Sequence, residues 1–322
     1  MKKIDIDSFV EWAKIYQKTA RHKLLAMYSS IFEGITTDPA LMMVPMDDHL
    51  VHRGDGIFEA LCCVRGNIYN MKMHLLRLEE SAKVIQLRLP KTIEEISAVM
   101  IEVVRAGREP DCSLRVYVSR GPGSLGVDPY DCPEPQLYVV AAKQERLFDE
   151  RLAKGAKAIT SSVPPKEPFW ARVKTCNYIP NVMMKKEARD AGVDFAVSFD
   201  NSGFLLEGPT ENFGIITRKN ELLFPPQGSI LEGTTMIRIM ELATELIKQG
   251  MLTKIARQPI SYADVMQSAE MIAVGSSIGV VSVIELDRKR IGAGEAGSIS
   301  MKLRELLIAD ILYNRSLQTP AI

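Results

Sequence analysis

Three observations predict a mixed α+β fold in two domains. The chain has 322 residues and is 46% hydrophobic, enough for two domains that each bury a core. Its first half sets two helical patterns among several short strand-like runs, as in a small α+β domain, and its second half alternates strands and helices less regularly. Between the halves, residues 143–154 carry charge and little apolar material, the composition of a linker. The boundaries that follow are a helical extension over 1–40, a small domain over 41–143, a linker over 144–154 and a larger domain over 155–322.

Residues 4 to about 30 have Ile6, Phe9, Val10, Ala13 and Tyr16 at helical spacing, with Lys14, Lys18, Arg21, His22 and Lys23 crowding the later part as a solvated face. From Leu41 short strands and turns take over. Residues 57–64 read as a strand closed by the Arg65-Gly66-Asn67 turn. Residues 71–86 read as a helix with Met73, Leu76, Ala82 and Leu87 near one face and Arg77 displaced from it. A second helix covers 93–107 and stops at Gly107. Strands at 113–118 and 136–142 flank a glycine-rich loop, 121–126. Its Gly121-x-Gly123-x-x-Gly126 spells a dinucleotide fingerprint, but a proline-containing loop follows where that motif needs a helix. In the second half, strands are expected at 157–163, 195–199, 212–217, 221–224, near 254 and at 270–275. Helices are expected at 180–191, 234–250, near 262 and from about 298.

Forty basic residues balance forty acidic ones, so no polyanionic partner and no electrostatically held membrane surface is expected. The five cysteines are scattered and odd in number, which favours reduced thiols. The start lacks the apolar core of a signal peptide, and no apolar run is long enough to span a bilayer. A cytoplasmic enzyme without nucleic-acid or membrane partners, and without a metal, is the expectation.

The chemistry gathers between residues 173 and 235. Lys174 stands in Lys174-Thr175-Cys176-Asn177-Tyr178, Glu207 in Glu207-Gly208-Pro209-Thr210-Glu211-Asn212, and a threonine pair in Leu231-Glu232-Gly233-Thr234-Thr235. A lysine amine forms a Schiff base with an aldehyde. A carboxylate keeps a pyridine nitrogen protonated, so the ring takes up the electrons of a carbanion. Hydroxyls and free N–H groups at a helix start bind a phosphate. Together these are the parts that hold pyridoxal phosphate. Lys154, Lys157, Lys166, Lys185 and Lys186 read instead as surface lysines, and Thr at a helix start is otherwise an ordinary N-cap.

In these motifs, and in their order and spacing, the chain resembles the fold-type IV (class IV) aminotransferases from about Met43 to about Leu307. That family includes branched-chain aminotransferases, D-amino-acid aminotransferases and aminodeoxychorismate lyases. The resemblance implies Lys174 as the Schiff-base and proton-transfer residue and Glu207 as partner of the pyridine nitrogen. It places Tyr178, Thr210, Asn212, Thr234, Thr235, Ser276 and Ser277 around the cofactor, and makes Arg77, in His74-Leu75-Leu76-Arg77-Leu78, the arginine that grips the phosphate. It further implies a homodimer with the cofactor in a cleft between the domains.

Departures from the family patterns bear on substrate. Arg53 stands where branched-chain enzymes have a tyrosine, Ser113 replaces the tyrosine two residues before Arg115, and Leu125 occupies the carboxylate-binding arginine of the D-enzymes. Arg53, Phe58 and Arg115 are the candidate substrate contacts. The expected reaction is transamination between an amino acid, branched-chain or otherwise apolar, and a 2-oxo acid. Aminodeoxychorismate lyase and D-amino-acid aminotransferase are the alternatives. A cofactor-binding module without catalysis ranks last, because Lys174 and Glu207 are both intact.

Overall fold

The computed structural model describes residues 1, 3–19, 23–144, 152 and 154–322. The chain divides into two compact units: Met1–Glu145 with Thr175–Asn177 and Leu317–Ile322, and Arg146–Lys174 with Tyr178–Ser316.

The first unit opens with α1 (Ile6–Thr19), β1 (Leu24–Ser29) and β2 (Gly34–Thr36). A short helix α2 (His49–Arg53) leads into β3 (Gly56–Val64) and β4 (Asn67–Tyr69). The helices α3 (Met71–Val84) and α4 (Ile93–Gly107) precede the hairpin of β5 (Cys112–Ser119) and β6 (Gln136–Lys143). The strands join antiparallel in the order β4-β3-β5-β6-β1-β2. Cys112, Leu114, Val116 and Val118 of β5 are buried, while Ser113, Arg115 and Tyr117 alternate onto the other face. A capping box starts α4: Thr92 Oγ1 accepts the Glu95 N–H at 3.2 Å and Glu95 Oε2 accepts the Thr92 N–H at 2.8 Å. Buried Asp48 caps α2 through the Leu50 N–H at 2.9 Å and also takes the Tyr138 hydroxyl at 2.7 Å.

The second unit runs β7 (Ala156–Thr160), α5 (Pro168–Ala171), α6 (Ile179–Asp190), β8 (Phe195–Val197), β9 (Asn212–Ile216) and β10 (Glu221–Phe224). There follow α7 (Thr234–Lys248), β11 (Lys254–Arg257), α8 (Tyr262–Gln267), β12 (Glu270–Gly275), β13 (Gly279–Leu286), β14 (Lys289–Arg290) and α9 (Ser298–Tyr313). Its sheet has the order β11-β10-β9-β12-β13-β7-β8, with β14 on β13. The pairs β10–β11, β13–β7 and β7–β8 are parallel and the rest antiparallel. Phe195, Leu205, Phe213, Ile215, Val281 and Val283 form part of its core. Arg238 of α7 grips Asp310 of α9 in two bonds of 2.9 and 2.6 Å, and Glu270 of β12 caps α9 through the N–H groups of Ile299 and Ser300 at 3.0 and 2.7 Å. No helix among the described residues is long and apolar enough to cross a membrane.

Several expectations change. The N-terminal helix ends at Thr19, and Leu24–Ser29 is a strand buried over its last four residues; the alternation there is too short to separate from a helix end. Arg21, His22 and most of the 144–154 linker lie outside the described residues. Helix α4 does end at Gly107, although Gly107 itself does not turn left-handed. It is the last helical residue, packed where a Cβ would meet Leu25 Cβ at 3.1 Å, and Arg108 takes the left-handed cap at φ 55°. The buried face of α3 is His74, Leu75, Leu78, Ser81 and Ala82, and Leu76 is exposed. Strand β13 went unread, although Val280, Val281, Val283 and Ile284 spell a buried strand. The terminal residues, placed by sequence in the larger domain, return to the first unit, where β15 (Gln318–Pro320) extends the sheet on β4. Burial pushes the Cys62 thiol up to about 12, so this cysteine is an inert core residue.

Glu59 of β3 is fully buried. It accepts Arg77 Nε and Nη2 at 2.7 Å each and lies 2.6 Å from His74 Nδ1. Burial alone pushes its carboxyl up, but the Arg77 charge and hydrogen bonds, with those of His74, outweigh it and hold the carboxyl at about 2, below its ordinary 4.5. A depressed carboxyl contributes stability above its unfolded value and loses it as pH falls. Urea denaturation is therefore expected to show wild-type stability falling from about pH 5 toward pH 2. Glu59→Gln should cost roughly 3 kcal/mol at pH 7, because it removes the buried carboxylate that pairs with the Arg77 guanidinium, and should lack that component of the acid slope. Equal stability of the two proteins at pH 7 would refute this role.

Candidate active site

Lys174 follows α5, and Tyr178 stands at the N-terminus of α6, so one turn of chain brings both side chains to one cavity. Lys174 Nζ lies 3.3 Å from the Tyr178 hydroxyl. Glu207, Thr210, Asn212 and Leu231 line the same cavity, together with Lys166, Asn181 and Glu211. The sequence named Lys174, Tyr178, Glu207, Thr210 and Asn212, and the structure brings these five together.

Glu207 is held from two sides. Its Oε2 accepts the Leu231 N–H at 2.9 Å, and its backbone carbonyl accepts the N–H and hydroxyl of Ser198 at 3.0 and 2.7 Å. Gly208 is required next to it: a Cβ there would lie 2.8 Å from Phe213 Cε2 and 2.9 Å from Glu211 Oε2. Asn181 Nδ2, in the first turn of α6, donates to the Pro209 carbonyl at 2.6 Å and ties that helix to the 208–210 turn. Glu211 Oε1 accepts the Thr210 hydroxyl at 2.6 Å. Thr210 itself is exposed.

Helix α7 begins beside Asn212. Gly233, its N-cap, comes so near that a Cβ would lie 1.9 Å from Asn212 Oδ1, and Asn212 Nδ2 donates to the Leu231 carbonyl at 3.0 Å. The N-cap residue has no side chain to offer this helix start, so no cap screens the positive end of its dipole. Thr234 and Thr235 are buried, and Thr235 Oγ1 lies 3.2 Å from Ser276 Oγ. Ser276 is half-buried, whereas Ser277 is exposed. The approach is fixed by Arg257, which pairs with Glu232 through bonds of 2.6 and 2.9 Å. An amine beside a phenol, a fixed carboxylate, and a helix N-terminus with paired hydroxyls match the aldehyde, ring nitrogen and phosphate of pyridoxal phosphate in their chemistry.

The first unit carries the other candidates. Arg77 presents its Nε–Nη2 edge to Glu59, so that edge is not available to grip a phosphate as the sequence reading supposed. Phe58 packs against Tyr117 with ring centroids 5.9 Å apart, and Arg115 lies on the Tyr117 face of β5, exposed and not in a buried ion pair. Arg53 differs from expectation. Its Nε donates to the Gly126 carbonyl at 2.8 Å, its Nη1 to the His52 carbonyl at 2.9 Å and its Nη2 to the Leu125 carbonyl. Three donors on backbone carbonyls make it a clamp on the 124–126 loop instead of a waiting carboxylate partner.

Sequence reasoning missed Lys166, Asn181, Glu211, the Glu232–Arg257 pair and the Glu59–His74 support behind Arg77. Lys166 was read as a surface lysine; it is half-buried, while Lys154, Lys157, Lys185 and Lys186 are exposed. Only Glu59 carried a local signal, as a charged residue within a strand of otherwise apolar positions.

Among families of known proteins, amino-transferase class IV matches residues 56–286. A chloroplastic D-amino-acid transaminase of Arabidopsis thaliana is 37% identical over 290 residues, 90% of this chain and 77% of that protein. A putative branched-chain-amino-acid aminotransferase of Methanocaldococcus jannaschii is 34% identical over 266 residues, 81% of this chain and 89% of that protein. Among solved structures, the branched-chain amino acid aminotransferase of Thermobaculum terrenum in its PLP-form superposes with a TM-score of 0.80 at 19% identity, covering 94% of this chain and 100% of that one. At that identity the structural likeness bears on the fold, and the match over 231 residues, together with the two relatives, bears on the family. The chain belongs to the class IV amino-transferases, enzymes whose cofactor is pyridoxal phosphate.

Proposed function

We propose that this enzyme transfers the amino group of an apolar, branched-chain-type amino acid to a 2-oxo acid. The observation that carries the reading is that Lys174 and Glu207 line one cavity, with the Tyr178 hydroxyl 3.3 Å from Lys174 Nζ. Bound pyridoxal phosphate supplies an electron sink for the charge left on the substrate's α-carbon. Lys174 Nζ would bind the cofactor, and once freed it would take the substrate's α-proton and deliver it to the cofactor's C4′ carbon as the general acid–base, the reverse half-reaction running the same transfer backwards. The Tyr178 hydroxyl orients that amine. Glu207, fixed by the Leu231 N–H, holds the proton on the ring nitrogen. Thr235, Ser276 and the N–H groups that open α7 would hold the phosphate, and Arg77 is the cation that the family resemblance assigns to it.

Substrate recognition falls to the Phe58–Tyr117 face with Arg115 beside it: the rings meet an apolar side chain and the guanidinium pairs a carboxylate that is costly to leave alone. A D-amino-acid preference is the second reading, favoured by the 37% identity to the Arabidopsis thaliana D-amino-acid transaminase. We further infer a homodimer in the cytoplasm. The exposed Leu125, Val127 and Tyr130 support the first point and five free cysteines the second. Light scattering is the check on the dimer.

Purified wild type should be yellow, and borohydride should fix the cofactor to Lys174; colour and fixation at another lysine in Lys174→Ala would defeat the assignment. Glu207→Gln should keep cofactor yet lose roughly a hundredfold or more in kcat, the size expected for removing an electrostatic stabiliser. Arg77→Ala should weaken retention of the cofactor in equilibrium dialysis more than it lowers kcat at saturating cofactor, since the phosphate is unchanged in the reaction. Arg115→Gln should raise KM for L-leucine and its 2-oxo acid while leaving cofactor affinity alone. Unchanged KM with L- and D-isomers alike would remove Arg115 from the substrate site, and faster turnover of D-leucine would select the second reading.

A further inference from the structure

Lys166 is a second amine at the same cavity, and none of the roles above uses it. Its Nζ lies 5.1 Å from the centroid of the Tyr178 ring, and Lys174 Nζ lies 5.8 Å from that same centroid. The ammonium is thus over an aromatic face, where the ring quadrupole attracts it. Among the described residues Lys166 forms no hydrogen bond or ion pair. The titratable groups that line the cavity with it are Lys174, Tyr178, Glu207 and Glu211. Glu211 is engaged by the hydroxyl and N–H of Thr210 at 2.6 and 3.1 Å, and Glu207 by the Leu231 N–H. Burial pushes the Lys166 ammonium down from its ordinary value, and the charge of Glu207 pulls it partly back.

We propose that Lys166 is a positioning residue of this pocket, whose ammonium over Tyr178 disfavours protonation of Lys174 Nζ and balances the carboxylate of Glu207. The proposal rests on the reading of Lys174 and Glu207 given above. Two ammonium groups flanking one ring repel, so each makes the charged form of the other more costly, and partial burial strengthens the effect. An amine attacks a carbonyl only when unprotonated, so a neighbouring cation readies Lys174 for its cofactor. The same cation keeps Glu207 ionised, as the acceptor of a ring N–H must be.

The test measures the proton occupancy of Lys174 directly. The full chain, stripped of cofactor, is labelled with a trace amine reagent across a pH series, and labelling at Lys174 is read by peptide mass spectrometry. Lys166→Met should raise the Lys174 midpoint by about half a pH unit or more, while Lys166→Arg, which keeps the charge, should stay near wild type. With pyridoxal phosphate bound, the pH midpoint of the visible absorbance should move upward in Lys166→Met alone. An unmoved midpoint in Lys166→Met, or the same shift in Lys166→Arg, overturns the proposal. A labelling shift in a protein that never becomes coloured with pyridoxal phosphate would leave the charge coupling standing and defeat the cofactor role of Lys174.

Discussion

The contact between Gly233 and Asn212 governs the candidate site of the second unit. A side chain at 233 would put its Cβ 1.9 Å from Asn212 Oδ1, so only glycine lets the start of α7 reach the edge of β9. That approach sets where the threonine pair sits, which N–H groups open the helix, and how the Leu231 N–H meets Glu207. A helix that starts on a glycine with no side-chain cap is weaker by itself, since polar N-caps contribute about 1 kcal/mol.

Charge is managed differently at Glu59 and at Lys166. At the first, the carboxylate of Glu59 is fully buried and satisfied by Arg77 and His74. This triad fixes the direction of the arginine, and the entropy of ordering a long side chain is met in folding. At the second, the ammonium of Lys166 is left over an aromatic ring without an ion pair among the described residues, in the cavity that Lys174 and Glu207 also line. Paired charges give rigidity; incompletely compensated ones give tunable proton affinity.

Much of the site was legible in the sequence because its residues cluster in three short motifs. Glu207-Gly208 and Gly233-Thr234-Thr235 each pair a functional group with the glycine that lets it approach, and that local pairing is visible without a fold. Arg53 shows the opposite case. Its family position suggested a carboxylate partner, yet three carbonyls of His52, Leu125 and Gly126 take its donors, two of them more than seventy residues away. Lys166 looked like any other lysine, since its half-buried setting depends on Tyr178 and Glu207 arriving from later in the chain.

By itself the sequence determined the fold class and most of the helices and strands, and it pointed to the candidate lysine, carboxylate and threonine pair, because periodicity and glycine placement are local signals. Tertiary structure alone decided which polar neighbours these groups keep. The Leu231 N–H on Glu207, the Glu59 carboxylate behind Arg77, the return of Gln318–Pro320 to β4 and the lysine over Tyr178 are all such contacts. Each joins residues that chain order leaves apart, and a buried polar group takes whichever partner packing brings within about 3 Å.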